Sequence, residues 1–124
     1  MKIVSHQIKG KGRGKFLGFP TINLEIPEKL TIEEGIYASW VKINNQNYMG
    51  ALFFGPIPTF NETEKSLEVF LIDKTDLPDE LIDNIEIGIK NWIREVKKFA
   101  TEHDLVEQMK KDLEDVKRIL KPIS

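Results

Sequence analysis

The segment IYASWVKINNQNYMGALFF, residues 36–54, decides the fold that the sequence predicts. Residues 36–43 and 48–54 are rich in β-branched and aromatic side chains, which favour strands. The four polar residues 44–47 between them are typical of a hairpin turn, and Gly55 and Pro56 end the second strand. We therefore expect two antiparallel strands joined by a short turn.

Further strands flank this hairpin on both sides. The same composition predicts strands at residues 2–8, 21–26, 67–72 and 85–93. Short strands at this spacing, separated by turn residues, indicate an antiparallel barrel or sandwich. The chain contains no internal repeat and no Ser/Pro-rich linker, so we expect one domain over residues 1–124, with the barrel over about residues 1–99.

The C-terminal part of the chain has the periodicity of a helix. Its apolar residues recur every three or four positions, at Leu105, Met109, Leu113, Val116 and Leu120. Thr101 followed by Asp104 resembles a capping box, and Pro122 ends the pattern. We expect a helix over about residues 102–120 that packs on the barrel through one apolar stripe.

Composition excludes several classes of function. Eighteen basic and 20 acidic residues give a formal net charge of −2, without the basic excess of a general nucleic-acid binder. The absence of Cys excludes disulfides and thiolate metal sites, and two His are few for a histidine metal site. No apolar run approaches the roughly 18 residues of a membrane helix, and no signal peptide is visible, so we expect a cytoplasmic protein.

The stretch GKGRGKFLGFPTIN, residues 10–23, is the most unusual in composition. Glycines allow close approach of backbone amides to phosphate oxygens, and Lys11, Arg13 and Lys15 add positive charge. The stretch is neither a Walker A motif nor a dinucleotide fingerprint. A phosphate-binding loop and a basic, flexible hairpin loop both fit it.

Three polar residues on predicted strands could carry chemistry. Thr21 and Asn23 point to one face of an extended segment and supply neutral oxygen ligands of the kind Mg²⁺ accepts beside phosphates. Glu68 lies in the apolar strand LEVFLI, where a carboxylate can act as a general base for a hydroxyl. The alternative is that all three are ordinary hydrogen-bonding surface residues of a sheet.

In combination, these motifs resemble the riboflavin kinase family, whose members phosphorylate riboflavin to FMN. The resemblance runs in order through GRGKFLGFPTIN (12–23), GIY (35–37), GPIPTF (55–60), LEVFLID (67–73) and IREVKKF (93–99). It continues into the helix, where Gln108 and Asp112 match. The chain is similar to the C-terminal kinase module of the bacterial bifunctional enzymes, without their adenylyltransferase domain.

The resemblance implies a mainly β fold, a six-stranded antiparallel Greek-key barrel with a C-terminal α-helix. It implies that Glu68 is the catalytic base, that Thr21 and Asn23 contact the metal, and that Arg94 lies on the flavin side. The implied nucleotide-binding set is Gly10, Gly12, Arg13, Gly14, Lys15, Gly18, Pro20 and Thr21.

The implied reaction transfers the γ-phosphoryl group of ATP to the ribityl hydroxyl of riboflavin, giving FMN and ADP. It requires Mg²⁺, with Zn²⁺ or Mn²⁺ as alternatives, and we expect a monomer that binds neither membrane nor nucleic acid. Phe53, Phe70 and the region of Pro78 depart from the family pattern. The alternatives are therefore a catalytically degenerate flavin-binding relative and a small nucleic-acid-binding barrel that uses basic and aromatic side chains.

Overall fold

The structure is a computed structural model, and it describes residues 1–10, 19–56, 64–74, 77–78 and 80–121. Its strands, in chain order, are β1 (Lys2–Ser5), β2 (Gln7–Ile8), β3 (Ile22–Leu24), β4 (Gly35–Ile43), β5 (Gln46–Gly55), β6 (Ser66–Leu71) and β7 (Ile85–Arg94). One helix follows, α1 (Glu102–Leu120). The predicted class, mainly β with a C-terminal helix, is confirmed.

The strands of the described residues form one curled antiparallel sheet in the order β1-β7-β4-β5-β6-β3-β2. Its two edge strands, β1 and β2, are neighbours in the chain and are separated only by His6. The sheet therefore curls until its edges meet at this residue. The expected count of six strands was one too low, because the chain bends at His6 and the predicted strand 2–8 becomes two strands with different partners.

The central hairpin forms as predicted, with a tighter turn. Strands β4 and β5 pair from Gly35 opposite Phe54 to Ile43 opposite Gln46. The turn is the dipeptide Asn44-Asn45, with φ angles of 51° and 65°. Asparagine tolerates this left-handed conformation, which a two-residue type I′ hairpin turn requires. The predicted four-residue turn 44–47 was too long, because Gln46 and Asn47 already pair with β4.

Alternating side chains of the curled sheet form the interior core. Ile22, Leu52, Val69, Ile85 and Ile87 are each 0% exposed, and the neighbouring interior positions are also apolar. Alternation places the residues between them on the outer face. Part of that face carries a second apolar cluster, and the rest carries the polar residues of the candidate site.

Helix α1 covers the second apolar cluster. Val116 and Leu120 pack on the outer face of the sheet, where Ala38 and Ile72 are buried. The Thr101 hydroxyl accepts a hydrogen bond from the Asp104 backbone N–H at 3.1 Å, which satisfies one of the free amides at the helix start.

Candidate active site

Strands β3 and β6 bring together three of the side chains that the sequence singled out. Asn23 is directly opposite Glu68 in the antiparallel register, and Thr21 lies two residues before Asn23. Ile22 and Leu24 are buried inside, so Thr21 and Asn23 are on the outer face beside Glu68. The Thr21 hydroxyl donates a hydrogen bond to Glu68 Oε1 at 2.8 Å. The common face of Thr21 and Asn23 was predicted, whereas the contact of Thr21 with Glu68 was not.

A residue that the sequence analysis missed holds the other oxygen of Glu68. The Ser66 hydroxyl donates to Glu68 Oε2 at 2.9 Å. Among the described residues, no cation forms an ion pair with Glu68. The carboxylate is half-buried, and both of its oxygens accept hydrogen bonds from neutral hydroxyls. Only the spacing of two residues along one strand face could have suggested the role of Ser66.

Two phenylalanines lie next to Glu68 on the same face of the sheet. Phe53 is the cross-strand partner of Glu68, and Phe70 lies two residues further along β6. Phe19 packs edge-on against Phe70, with ring centroids 5.7 Å apart. Two of the positions that depart from the family pattern, Phe53 and Phe70, are therefore direct neighbours of Glu68. They place apolar side chains beside the half-buried carboxylate.

Gly10 lies against the carboxamide of Asn23. A Cβ atom added at Gly10 would be 1.8 Å from Asn23 Nδ2, so a side chain there would displace the carboxamide. The start of the glycine-rich stretch is therefore beside the Thr21, Asn23 and Glu68 group. The expected nucleotide contacts of Gly12, Arg13, Gly14, Lys15 and Gly18 lie outside the described residues, whereas Pro20 precedes Thr21 on the described segment.

The donor atoms of this group fit a magnesium ion bound together with a nucleotide. Asn23 offers a carbonyl oxygen, Thr21 a hydroxyl oxygen, and Glu68 a carboxylate beside them. The described residues contain no cluster of three or more His, Cys, Asp or Glu that could hold a metal. Magnesium fits such a set, because it accepts one or two protein oxygens when phosphates and waters complete its octahedron.

Arg94 lies in the same cross-strand row of the sheet as Glu68 but does not contact the group around it. The register row Glu68, Phe53, Ile36 and Arg94 crosses four neighbouring strands. At about 4.8 Å between strands, Arg94 is roughly 14 Å from Glu68 along the sheet. The Arg94 guanidinium binds Asp112 of α1 through Nε at 2.8 Å and Nη2 at 2.7 Å.

Asp112 is a second residue whose role the sequence analysis missed. It is 3% exposed, and Gln108 Nε2 donates to its Oδ1 at 3.1 Å. The buried, bidentate ion pair between Arg94 and Asp112 therefore connects the end of β7 to α1. The sequence could have indicated this buried position, because Asp112 falls three residues after Met109 and four before Val116, within the apolar stripe of the helix.

Two hydrogen bonds fix the segment before β4 at the same end of the sheet. The Tyr37 hydroxyl donates to the backbone carbonyl of Glu33, and Trp92 Nε1 donates to that of Glu34 at 3.3 Å. Burial, and to a lesser extent the charge of Glu33, raises the pKa of the Tyr37 hydroxyl above its usual value. Tyr37 therefore stays a neutral hydrogen-bond donor at physiological pH.

Two cavities lie at the opposite end of the sheet, near the Asn44-Asn45 turn. Their volumes are about 500 and 340 Å³, and Pro78 and Ile82 line both. At this end of β4 and β7, Lys42 is the cross-strand partner of Glu86. At the end that holds Glu68, Ile36 is the cross-strand partner of Arg94. The departure from the family pattern at Pro78 is therefore remote from the candidate site.

The family model of riboflavin kinase, or flavokinase, matches residues 1–120. The match includes every described residue of the group around Glu68, as well as Arg94 and Asp112. This protein belongs to the riboflavin kinase family.

Relatives of this family share about a third of the sequence. The RNA-binding riboflavin kinase RibR of Bacillus subtilis is 36% identical, over 86% of this chain and 45% of that protein. The riboflavin kinase of Homo sapiens is 28% identical, over 91% of this chain and 76% of that protein. A bifunctional riboflavin kinase/FMN adenylyltransferase of Haemophilus influenzae is 30% identical, over 94% of this chain and 37% of the enzyme. The chain thus spans less than half the length of these bacterial relatives.

A crystal structure described as a macrolide-efflux protein from Streptococcus pneumoniae has the same fold. It superimposes with a TM-score of 0.80 at 27% identity, over 94% of this chain and 38% of that one. Within the described part of the chain, no helix has the length and hydrophobicity needed to cross a membrane.

Proposed function

We propose that this protein is an ATP-dependent riboflavin kinase, which transfers the γ-phosphoryl group of ATP to the terminal ribityl hydroxyl of riboflavin. The observation that carries the proposal is the contact of Glu68 with Thr21, beside Asn23. It joins a proton acceptor to two oxygen donors suited to a metal-bound phosphate. Membership of the family supports the same reaction.

Glu68 is proposed to act as the general base. Its carboxylate accepts the proton of the ribityl hydroxyl as the hydroxyl oxygen attacks the γ-phosphorus. A new P–O bond forms to the flavin, the bond to the β-phosphate oxygen breaks, and ADP leaves. The two hydroxyls that hold Glu68 keep its carboxylate in place.

Thr21 and Asn23 are proposed to hold Mg²⁺ or another divalent ion together with the nucleotide. When bound, the ion would neutralise charge on the phosphate oxygens. Gly10 allows the chain to approach Asn23 without a side chain, which positions the carboxamide. We further propose that the glycines and basic residues at positions 12–18 bind the phosphates, although these residues lie outside the described part of the chain.

Arg94 is proposed to mark the flavin side of the site. The register row from Glu68 to Arg94 lets an extended substrate place its terminal hydroxyl at Glu68 and its ring system towards the end of β7. Asp112 fixes the guanidinium on that side. The single domain, the monomeric state and the cytoplasmic location stay predictions of the sequence.

The direct test of this function is flavin chromatography after incubation of the full chain with riboflavin, ATP and Mg²⁺. We expect an FMN peak that is absent without ATP and is lost when EDTA removes the divalent ion. Binding of riboflavin without formation of FMN would instead indicate a catalytically degenerate relative. Absence of both binding and turnover would mean that this protein shares the fold of the family but not its activity.

The Gly10→Ala substitution is expected to raise the KM for magnesium-ATP about tenfold, the effect of losing one well-placed polar contact. The new methyl group must push the Asn23 carboxamide away from its present position. Steady-state kinetics at varied nucleotide concentration measure the effect. Gly88→Ala is the matched control, because the nearest atom to its added Cβ, the carbonyl oxygen of Trp40, is 4.0 Å away. Equal KM values for the two variants would contradict a role of Asn23 at the nucleotide.

Nucleic-acid binding is the competing function, because the B. subtilis relative is named an RNA-binding protein. The aligned part is 45% of that relative, and this chain has a net charge of −2. We therefore favour the kinase. Binding of single-stranded RNA that weakens steeply with salt would support the competitor, since release of counterions from phosphates produces that dependence.

A further inference from the structure

The hydroxyl of Ser66 has a choice of two acceptors. Ser66 lies two residues before Glu68 on β6, so both side chains are on the outer face. Its Oγ is 2.9 Å from Glu68 Oε2 and 3.4 Å from the backbone oxygen of Gly55. One hydroxyl proton can make only one strong bond, and the shorter contact to a charged acceptor is favoured. Ser66 therefore donates to Glu68.

Ser66 on β6 and Thr21, which directly precedes β3, together hold both oxygens of the carboxylate. Thr21 donates to Oε1 at 2.8 Å, and Ser66 donates to Oε2. The final torsion of a glutamate side chain is soft, so a single anchor leaves the carboxylate plane free to turn. Two anchors fix that plane. The aromatic neighbours on the same face, Phe53 and Phe70, have no hydrogen-bond donors on their side chains to replace either anchor.

We propose that Ser66 is a positioning residue, which orients the carboxylate of Glu68 towards the acceptor hydroxyl of the substrate. The proposal rests on the proposed kinase function, in which Glu68 accepts that proton. Ser66 acts only through Glu68 and contacts no reacting atom. A general base must aim an oxygen at the proton within hydrogen-bond reach. Loss of the anchor should therefore reduce turnover more than substrate binding.

The test compares Ser66→Ala and Ser66→Thr with the wild-type protein in the FMN assay. We expect Ser66→Ala to lower kcat about tenfold or more, as for loss of a hydrogen bond to a charged group. The KM values for riboflavin and ATP should change little. Ser66→Thr keeps the hydroxyl on a strand position that suits threonine and should recover most of kcat. Where Ser66→Ala does not fold, Ser66→Cys replaces it, because a thiol is a weak donor.

Ser39→Ala is the matched control for removal of a hydroxyl from the same sheet. The Ser39 hydroxyl donates to the backbone oxygen of Gly50, at 3.0 Å, on the neighbouring strand. We expect this variant to change the thermal midpoint and leave kcat unaltered. A wild-type kcat in Ser66→Ala, or no recovery in Ser66→Thr, would overturn the proposal.

Crystal structures of the wild-type protein and Ser66→Ala provide a readout that does not depend on activity. We expect the Glu68 carboxylate plane to turn in Ser66→Ala, whereas an unchanged plane would refute the positioning role. If the wild-type protein forms no FMN, the proposed kinase function is wrong. The structural comparison still decides whether Ser66 orients Glu68.

Discussion

Glu68→Gln is expected to lower the rate of FMN formation by about 100- to 10,000-fold, the contribution that a positioned general base makes to proton transfer. The carboxamide is nearly isosteric with the carboxylate but cannot accept the proton of the ribityl hydroxyl. Its oxygen can still accept from Thr21, and the Ser66 hydroxyl can rotate to accept from its nitrogen. Binding of riboflavin should therefore remain close to that of the wild-type protein.

Glu86→Gln is the matched control for the loss of one negative charge from a strand. Glu86 pairs with Lys2 at 3.1 Å at the end of β7 that is remote from Glu68. Steady-state kinetics of the two variants, together with riboflavin binding by fluorescence quenching, separate chemistry from binding. Turnover of Glu68→Gln within about threefold of wild type would remove Glu68 as the base, since such a change is less than 1 kcal/mol of barrier.

The second large effect concerns stability. Asp112→Ala is expected to lower the free energy of unfolding by about 3–5 kcal/mol, because it leaves the largely buried guanidinium of Arg94 without its counter-charge. The side chains of Arg94 and Asp112 are 12% and 4% exposed, so water cannot replace the lost partner. Urea unfolding monitored by circular dichroism measures the change.

Asp115→Ala on the same helix is the control, because Asp115 pairs with Arg118 at 2.7 Å on the exposed side. Exposed pairs contribute at most about 1 kcal/mol, so this variant should stay close to wild type. The double variant Arg94→Met with Asp112→Leu should regain most of the stability, since apolar residues can replace a buried ion pair. A loss in Asp112→Ala no larger than in Asp115→Ala would show that the buried pair does not fasten the helix.

Local patterns were sufficient to predict most of the fold. Alternation and β-branched residues marked the central hairpin, and the three-to-four spacing of apolar residues marked α1. The break at His6 was not predictable, because no glycine or proline interrupts residues 2–8 and the bend arises from pairing with two different strands. Which strands pair in the tertiary structure cannot be deduced from the local sequence pattern.

The candidate site was predictable in its members but not in its contacts. Thr21 and Asn23 share a face by strand alternation, which the structure reproduces beside Glu68. The roles of Ser66 and Asp112 depend on which strands and helix are neighbours in space. A serine two residues from a glutamate is common in any sequence, so only the fold identifies Ser66, whereas Asp112 stands out in the sequence as an acidic residue within the apolar stripe of α1.

The bend at His6 also affects the order in which the chain can fold during synthesis. β2 meets β3 after only 15 to 17 further residues, whereas β1 pairs with β7, 80 to 86 residues later. During synthesis, β1 therefore waits for nearly the whole sheet before its partner exists. Such distant pairing slows folding, and an unpaired strand edge can recruit other chains. Aggregation is therefore most to be expected in nascent chains that stop before residue 88.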